Sequence, residues 1–239
     1  MYLFVMKAIS VCMATYNGEK YIREQIESIL PQLNVNDELV ISDDGSEDNT
    51  LSIIKSFNDK RIKININQGK HGVVPNFENA LRHSKGDIIF FSDQDDCWTK
   101  DKVKICVKEL ESCDLVIHNS HVHFTDDSSR DCDFFSLRHS RAGYLKNLFK
   151  NSFVGSCMAF NKNVKEYVLP FPQHILWHDM WIGLMVEKYG KPKFIDNKLL
   201  IYRRHGDNAS ATSEDSSFSL LFKLKYRLQM LWYTMLRSK

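Results

Sequence analysis

Gly86-Asp87-Ile88-Ile89-Phe90-Phe91-Ser92-Asp93-Gln94-Asp95-Asp96-Cys97-Trp98 is the stretch whose reading decides the fold. Gly86 interrupts whatever precedes it, and an apolar run follows from Ile88 to Phe91. A short run without polar alternation reads as a strand buried on both faces, as in a parallel sheet. Three carboxylates, Asp93, Asp95 and Asp96, then fall within four residues at the strand's carboxyl end. Open α/β sheets bind their ligands beyond that end of the strands. Carboxylates so close repel one another unless a cation joins them, and oxygen ligands of this kind suit Mg2+ or Mn2+. An isolated Asp-x-Asp is more often a solvated acidic turn, so the rest of the chain decides between the two.

Outward from this stretch the chain alternates strand and helix. Ala8 to Thr15 is a first strand, broken by Tyr16-Asn17-Gly18. Ile22, Ile26, Ile29, Leu30 and Leu33 recur at helical spacing, so Glu19 to Gln32 is an amphipathic helix that Pro31 helps to end. Glu38 to Ser42 is a second strand, followed by Asp43-Asp44-Gly45-Ser46, where Ser46 or Asp48 caps a helix from Asn49 to Phe57. Ile62 to Ile66 is a third strand. Pro75 suits the first position of a helix carrying Phe77, Ala80 and Leu81, and Asp101 to Cys113 forms another after the acidic stretch. This rhythm predicts βαβ units, a mostly parallel sheet and right-handed crossovers. The class is α/β and the first 119 residues are Rossmann-like. No Gly-x-Gly-x-x-Gly follows the first strand, which argues against a dinucleotide dehydrogenase, and no Walker motif is present, which argues against a P-loop enzyme.

Beyond Asn119 the rhythm stops. Leu115 to His123 reads as a strand entering a hairpin, Asp126 to Asp133 as a loop and Leu145 to Phe149 as a short helix. Ser156 to Phe160 is a strand and Val164 to Val168 a helical turn ended by Pro170 and Pro172. Trp177-His178-Asp179 opens a helix to about Tyr189, and Lys193 to Ile195 and Leu199 to Arg203 are two short strands. Residues 120–210 thus form an acceptor-side half of the same domain. The tail, residues 211–239, mixes apolar residues with Lys223, Lys225, Arg227, Arg237 and Lys239, and has no acid from Phe218 onward. Phe218, Leu221, Phe222, Leu224, Leu228, Leu231, Trp232 and Met235 recur mostly at three or four, which on a helix makes one stripe. That stripe either lies on a membrane surface or packs back, onto the domain or onto a second subunit in a homodimer.

Composition narrows the classes further. The chain has 239 residues, 43% of them hydrophobic, enough for a full core. A net charge of +2 is too small to argue for a nucleic-acid partner, and no basic stripe with interleaved aromatics lies in the first 200 residues. The six cysteines are scattered with no Cys-x-x-Cys, which argues against zinc and for reduced thiols in a cytoplasmic protein. Met1 to Lys7 is too short for a signal peptide or a span.

Four motifs, in order, carry a resemblance that covers most of residues 8 to 205. They are Val11 to Gly18; Ile41 to Ser46 with Asp48-Asn49-Thr50; Asn67 to Asn76 running into Gly86-Asp87 and Asp93-Gln94-Asp95-Asp96; and His178-Asp179 opening a helix. Together they resemble the inverting glycosyltransferases of family 2 with the GT-A fold. The form Ser-Asp-Gln-Asp-Asp-x-Trp is similar to the branch that builds bacterial O-antigens, capsules and rhamnose polymers. The resemblance implies a nucleotide-sugar donor, a UDP-hexose or dTDP-rhamnose, and a lipid-linked or oligosaccharide acceptor at the cytoplasmic face of a membrane. It implies Mn2+ or Mg2+ held by Asp95, with Asp93 on the ribose or the metal's waters, His205 completing the metal site and Asp96 capping the next helix. Thr15, Tyr16 and Asn17 would line the nucleoside pocket, Asp43 would bond the base, Asp44 the ribose or the loop, and Asn76 would join the nucleotide-binding set. Asp179 would be the catalytic base. Inversion needs one such base to deprotonate the acceptor hydroxyl, and a divalent cation can stabilise a departing diphosphate.

The sequence departs from the family's pattern at two positions. His178 stands where the family often has Glu, and Pro75 stands before Asn76 where many relatives have Arg. The sequence also admits two rival readings. A nucleotidyltransferase would carry a Gly-rich basic phosphate loop, for which Tyr16-Asn17-Gly18-Glu19-Lys20 is a poor match. A non-catalytic nucleotide-sugar-binding protein would bind donors without turning any over.

Overall fold

The computed structural model describes residues 7–206 and 219–239. In chain order the strands and helices are β1 (Ile9–Thr15), α1 (Ile22–Ile29), β2 (Glu38–Asp43), α2 (Thr50–Ser56), β3 (Ile62–Ile66), α3 (Val73–His83), β4 (Ile88–Ser92), β5 (Cys97–Trp98), α4 (Lys102–Glu109), β6 (Leu115–Phe124), β7 (Cys132–Asp133), α5 (Phe134–Arg138), α6 (Tyr144–Phe149), β8 (Met158–Asn161), α7 (Val164–Val168), α8 (His178–Tyr189), β9 (Pro192–Arg204) and α9 (Leu220–Leu236). Strand order in the sheet is β3-β2-β1-β4-β8-β6-β9-β5, with β7 paired to β6. From β3 to β4 the pairing is parallel. Beyond β4 the sheet is mixed: β8 runs antiparallel to both β4 and β6, β9 is parallel to β6, and β5 is antiparallel to β9.

The apolar run that opens the argument is β4, and all five of its residues are buried. Phe91 packs against Phe77 of α3 and against Phe160 of β8, with centroids 5.0 and 5.3 Å apart. Gly86 is required just ahead of it. A side chain there would place Cβ 2.6 Å from the Ser10 nitrogen, inside van der Waals contact, and so push β4 away from β1. Central strands that are covered on both faces by helices read as continuous apolar sequence, and β1 is also buried throughout, apart from half-buried Ala14.

Several expected boundaries move. The first helix is shorter than expected, Ile22–Ile29, and Leu30–Gln32 tightens into a 3-10 turn at Pro31. Pro75 is the third residue of α3, which begins at Val73. The two short strands expected at 193–195 and 199–203 are one strand, β9. Polar Asp196 and Asn197 interrupt its apolar pattern where its register against β6 shifts between His118 and His121. The 126–133 loop contains a 3-10 turn and β7, and Asp133 caps α5 by accepting from the Ser136 N–H. Phe218 lies outside the described residues. No described helix is long and apolar enough to cross a membrane.

Candidate active site

The topology brings four loops to the carboxyl edge of the parallel strands. The loop after β1 is held by the loop after β2. Thr15 Oγ1 donates to Asp43 Oδ2 at 2.7 Å, and the Asn17 N–H donates to Ser46 Oγ at 2.9 Å. Asp43 is buried and accepts from four donors, those of Thr15 Oγ1, Gly45 N, Ser46 N and Ser46 Oγ, so both its oxygens hold the turn. Asp44, also buried, takes the Asn67 amide at 2.8 Å and the Gly72 N–H at 2.7 Å, and so fixes the loop that leads into α3. Asn76 in the first turn of α3 donates to the Thr15 carbonyl at 3.1 Å, leaving its Oδ1 without a partner in a buried position. Tyr16 is more than half exposed at the rim.

The acidic loop joins this assembly through Gln94, a motif residue to which the sequence assigns no role. Its side-chain amide makes both hydrogen bonds of the Tyr16 peptide: Oε1 accepts from the Tyr16 N–H at 2.9 Å and Nε2 donates to the Tyr16 carbonyl at 3.0 Å. Gly18 makes room for it, since a Cβ there would lie 2.3 Å from Gln94 Oε1. Buried Gln25 of α1 adds a second clamp, donating to Ser92 Oγ at 2.7 Å and to the Asp93 carbonyl at 3.0 Å. Gln94 stands inside the acidic motif, but the partners of both glutamines lie 78 and 67 residues away, so neither contact is visible locally.

Four carboxylates converge here. Asp95 Oδ2 lies 3.0 Å from His205 Nε2, and the His205 ring stacks on Tyr21 with centroids 4.5 Å apart. This pairing depends on β9, which carries His205 just beyond its end and binds β5, the strand that the acidic loop enters. Asp96 does not cap the next helix. It is buried and accepts from the Arg203 N–H at 3.1 Å, with Oδ2 unpartnered, while Asp101 occupies the cap position of α4. Burial pushes the Asp93 carboxyl up to about 7, with the negative charges of Asp95 and Asp179 adding to the rise. Asp96 is raised well above the ordinary carboxylate range by burial and by Asp95 and Asp93. Asp179, in the first turn of α8, is also pushed up to about 7 by burial, although the Met180 N–H at 2.6 Å favours its ionised form. The Asp179 charge therefore reaches Asp93.

Lys102 of α4 provides positive charge behind the acids. It is fully buried, donates to the Ser156 carbonyl at 2.7 Å, and is drawn down to about 8 by burial, with Asp96 and Asp93 opposing that fall. The clustered carboxyl oxygens of Asp93, Asp95 and Asp96, one of them unpartnered, and the Asp95–His205 contact make a donor set that fits a divalent cation. Asp93, Asp95 and His205 do not close into three ligand atoms within 4.8 Å. Among the described residues the triple that does so is His121, His123 and Asp131, on β6 and the turn before β7.

His178 has a packing role. Its ring stacks on Phe77 at 4.2 Å and meets Phe91 edge-on at 5.5 Å, and burial pushes it down to about 3, so it is neutral. It anchors α8 to β4 and α3, which fixes its neighbour Asp179 beside the acidic loop. Arg203 pairs with Glu24 at 2.7 Å and lies over Tyr21.

Comparison with known proteins bears on the whole arrangement. The sequence model described as Glycosyl transferase family 2 matches residues 10–168. The chain is 29% identical over 232 residues to dTDP-rhamnosyl transferase RfbG of Shigella flexneri, covering 90% of this chain and 77% of that one. Over 102 residues it is 37% identical to the Escherichia coli UDP-Glc:alpha-D-GlcNAc-diphosphoundecaprenol beta-1,3-glucosyltransferase WfgD, covering 43% of this chain and 40% of that one. In structure it is similar to mannosyltransferase PcManGT from Pyrobaculum calidifontis, solved with GDP-Man and Mn2+, with a TM-score of 0.65 and 20% identity over 98% of this chain and 71% of that one.

Proposed function

The chain belongs to glycosyl transferase family 2 and is a glycosyltransferase of the GT-A fold, and from that premise we propose a metal-dependent inverting transfer. The donor is a UDP-hexose or dTDP-rhamnose and the acceptor a lipid-linked glycan, in bacterial surface-polysaccharide synthesis at the cytoplasmic side of the membrane. The observation that carries the mechanism is the packing of His178 on Phe77 and on Phe91 of β4, which holds its neighbour Asp179 against the strand that ends in the acidic loop. It sets a cation-seeking cluster against a separate carboxylate, the two parts an inverting transfer needs.

In this reading Asp95 and His205 hold Mn2+ or Mg2+, with Asp93 beside them. Such an ion supplies Lewis-acid stabilisation to the departing diphosphate. Asp179 takes the proton of the acceptor hydroxyl as that oxygen attacks C1 opposite the leaving group. A base held near 7 is well matched to this at neutral pH, where a carboxylate at its ordinary value would be a weaker proton acceptor. Thr15, Tyr16, Asn17, Asp43, Asp44 and Asn76 form the nucleoside side, with Asp43 acting chiefly through the turn it holds. The nearby relatives that use dTDP-rhamnose and UDP-Glc support the donor class, and the diphosphoundecaprenol in the name of WfgD supports the acceptor class.

The test is a panel of nucleotide-sugars assayed with Mn2+ for hydrolysis and for transfer. EDTA should abolish turnover of the preferred donor and added Mn2+ or Mg2+ should restore it, with an inverted anomeric centre in the product. Full turnover in EDTA, or retention of configuration, would overturn the mechanism.

A further inference from the structure

We propose that α9 and α6 together form a docking surface for an anionic lipid bilayer. The tail helix does not choose between packing on the domain and facing outward, because its two faces do different things. Tyr226, Met230 and Thr234 are buried against the domain. Tyr226 Oη accepts from the Leu176 N–H at 3.1 Å, Trp177 meets the Tyr226 ring edge-on at 4.8 Å, and Lys188 Nζ donates to the Thr234 carbonyl at 2.6 Å. Leu221, Leu224, Leu228, Trp232 and Met235 are 77, 50, 58, 59 and 66% exposed. At 3.6 residues per turn these five fall within an arc of about 80°, and the three buried residues lie roughly opposite.

The exposed stripe is not isolated. Leu145 and Phe149 of α6, four apart and so on one face, are 65 and 57% exposed. Arg227 of α9 ties the two helices, donating to the Phe149 carbonyl at 2.5 Å and lying 5.7 Å over its ring. An exposed apolar platform of this extent marks an interaction surface. Its charge selects the occupant. Lys225 is exposed beside the stripe, Arg227 lies at its junction with α6 and exposed Lys150 follows α6, whereas Arg237 turns back to the Leu169 and Pro170 carbonyls and Lys239 to the Tyr167 ring; residues 219–239 contain no acid. Two copies meeting through this face would bring like charges together, whereas anionic headgroups complement them while acyl chains take the leucines and Trp232. A cavity of about 200 Å³, lined by His174, Leu176, Phe222, Lys225, Tyr226 and Gln229, opens between α9 and the segment that leads into Asp179. The lipid-facing helix thus adjoins the acceptor side. The inference deepens the lipid-linked acceptor reading but stands on the surface alone.

The experiment uses the full chain, because removing α9 would also strip the contacts that hold Leu176 and Trp177. Sedimentation with phosphatidylglycerol–phosphatidylcholine vesicles should carry the protein down, and pure phosphatidylcholine should carry far less. Salt should weaken binding, and the emission of exposed Trp232 should shift to the blue. The variant L224Q/L228Q/W232Q should lose vesicle binding while keeping its melting temperature and its donor hydrolysis. Lys225→Ala should lower the partition about fivefold, which corresponds to about 1 kcal/mol for one cation at the surface. A wild-type chain that ignores anionic vesicles, or a triple variant that binds as well as wild type, overturns the proposal. So does a wild-type dimer that the triple variant dissociates, since the occupant is then a second copy. Transfer to a lipid-linked acceptor in detergent, measured in parallel, separates failure of this surface from failure of the acceptor reading.

Discussion

Replacing Asp179 by Asn separates the cost of the site from its use. Asn keeps the shape and an oxygen for the Met180 N–H but cannot accept a proton at neutral pH. Transfer should fall by about 10² or more, the usual contribution of a general base, while donor binding survives. Stability should move the other way. The carboxyl is raised from 3.8 to about 7, chiefly by burial, so the folded protein holds this proton more tightly than the unfolded chain does. Below about pH 4 the group is neutral in both states and nothing is lost. Between about pH 4 and 7 the penalty for ionising it grows, and above 7 it is fully present. At 1.36 kcal/mol per pKa unit the rise sets an upper limit of about 4 kcal/mol. Residual solvent contact and the coupling to Asp93 lower the expected gain to about 1–2 kcal/mol. For a domain of this size that raises the melting temperature of Asp179→Asn by about 2–8 °C. The assay is thermal melting at pH 5 and pH 8 without metal, beside initial rates with Mn2+. A variant that gains equally at both pH values, or that keeps its turnover, would refute the argument. In wild type, kcat/KM should climb with pH through about 7, because the ionised form is the active one.

Gln94→Ala removes both hydrogen bonds to the Tyr16 peptide. Donor affinity should drop by up to about thirtyfold, two hydrogen bonds at about 1 kcal/mol each, as read by titration calorimetry with the nucleotide; unchanged affinity would mean that the loop is ordered without it. Tyr226→Phe leaves the Leu176 N–H without its acceptor. It should destabilise the segment before Asp179 by about 1–2 kcal/mol, seen as faster exchange of that amide, with kcat lowered and donor binding intact.

The parallel half of the sheet was legible because each signal in it is local. Gly86, the apolar run of β4 and the acids after it lie within a dozen residues, and burial on both faces leaves no polar alternation to confuse the reading. What escaped was long-range. β9 looked like two strands because its register shift places Asp196 and Asn197 in mid-strand. Asp96 looked like a cap because nothing local reveals that its partner is the Arg203 N–H, 107 residues away. His178 showed in the sequence only as a departure from the family's Glu, and its stacking on Phe77 and Phe91 is visible only once α8 lies on β4. The tail stripe was readable as apolar periodicity, yet its spacing could not say which arc packs inward, since Tyr226 and Thr234 turn the polar-looking side toward the domain.

The same long-range pairing explains why the acidic loop can tolerate its own charge. Asp95 reaches His205 only because β5 adds to β9, the far end of the strand order, and β5 also touches α1 through the Trp98 N–H to Ser28 Oγ at 3.0 Å. The loop is therefore clamped from both sides: by Gln94 and Gln25 on the nucleoside half, and by β9 on the acceptor half. Left free, mutually repelling carboxylates would splay into water, where each is better solvated. Held in place and buried, Asp93, Asp96 and Asp179 hold their protons more tightly than carboxylates in water. Burial, more than mutual repulsion, raises Asp93, Asp96 and Asp179, and that burial is a property of the whole sheet. A cation that binds the acidic loop compensates the buried charge of Asp93 and Asp95, and the stability it adds is shared by both halves of the domain.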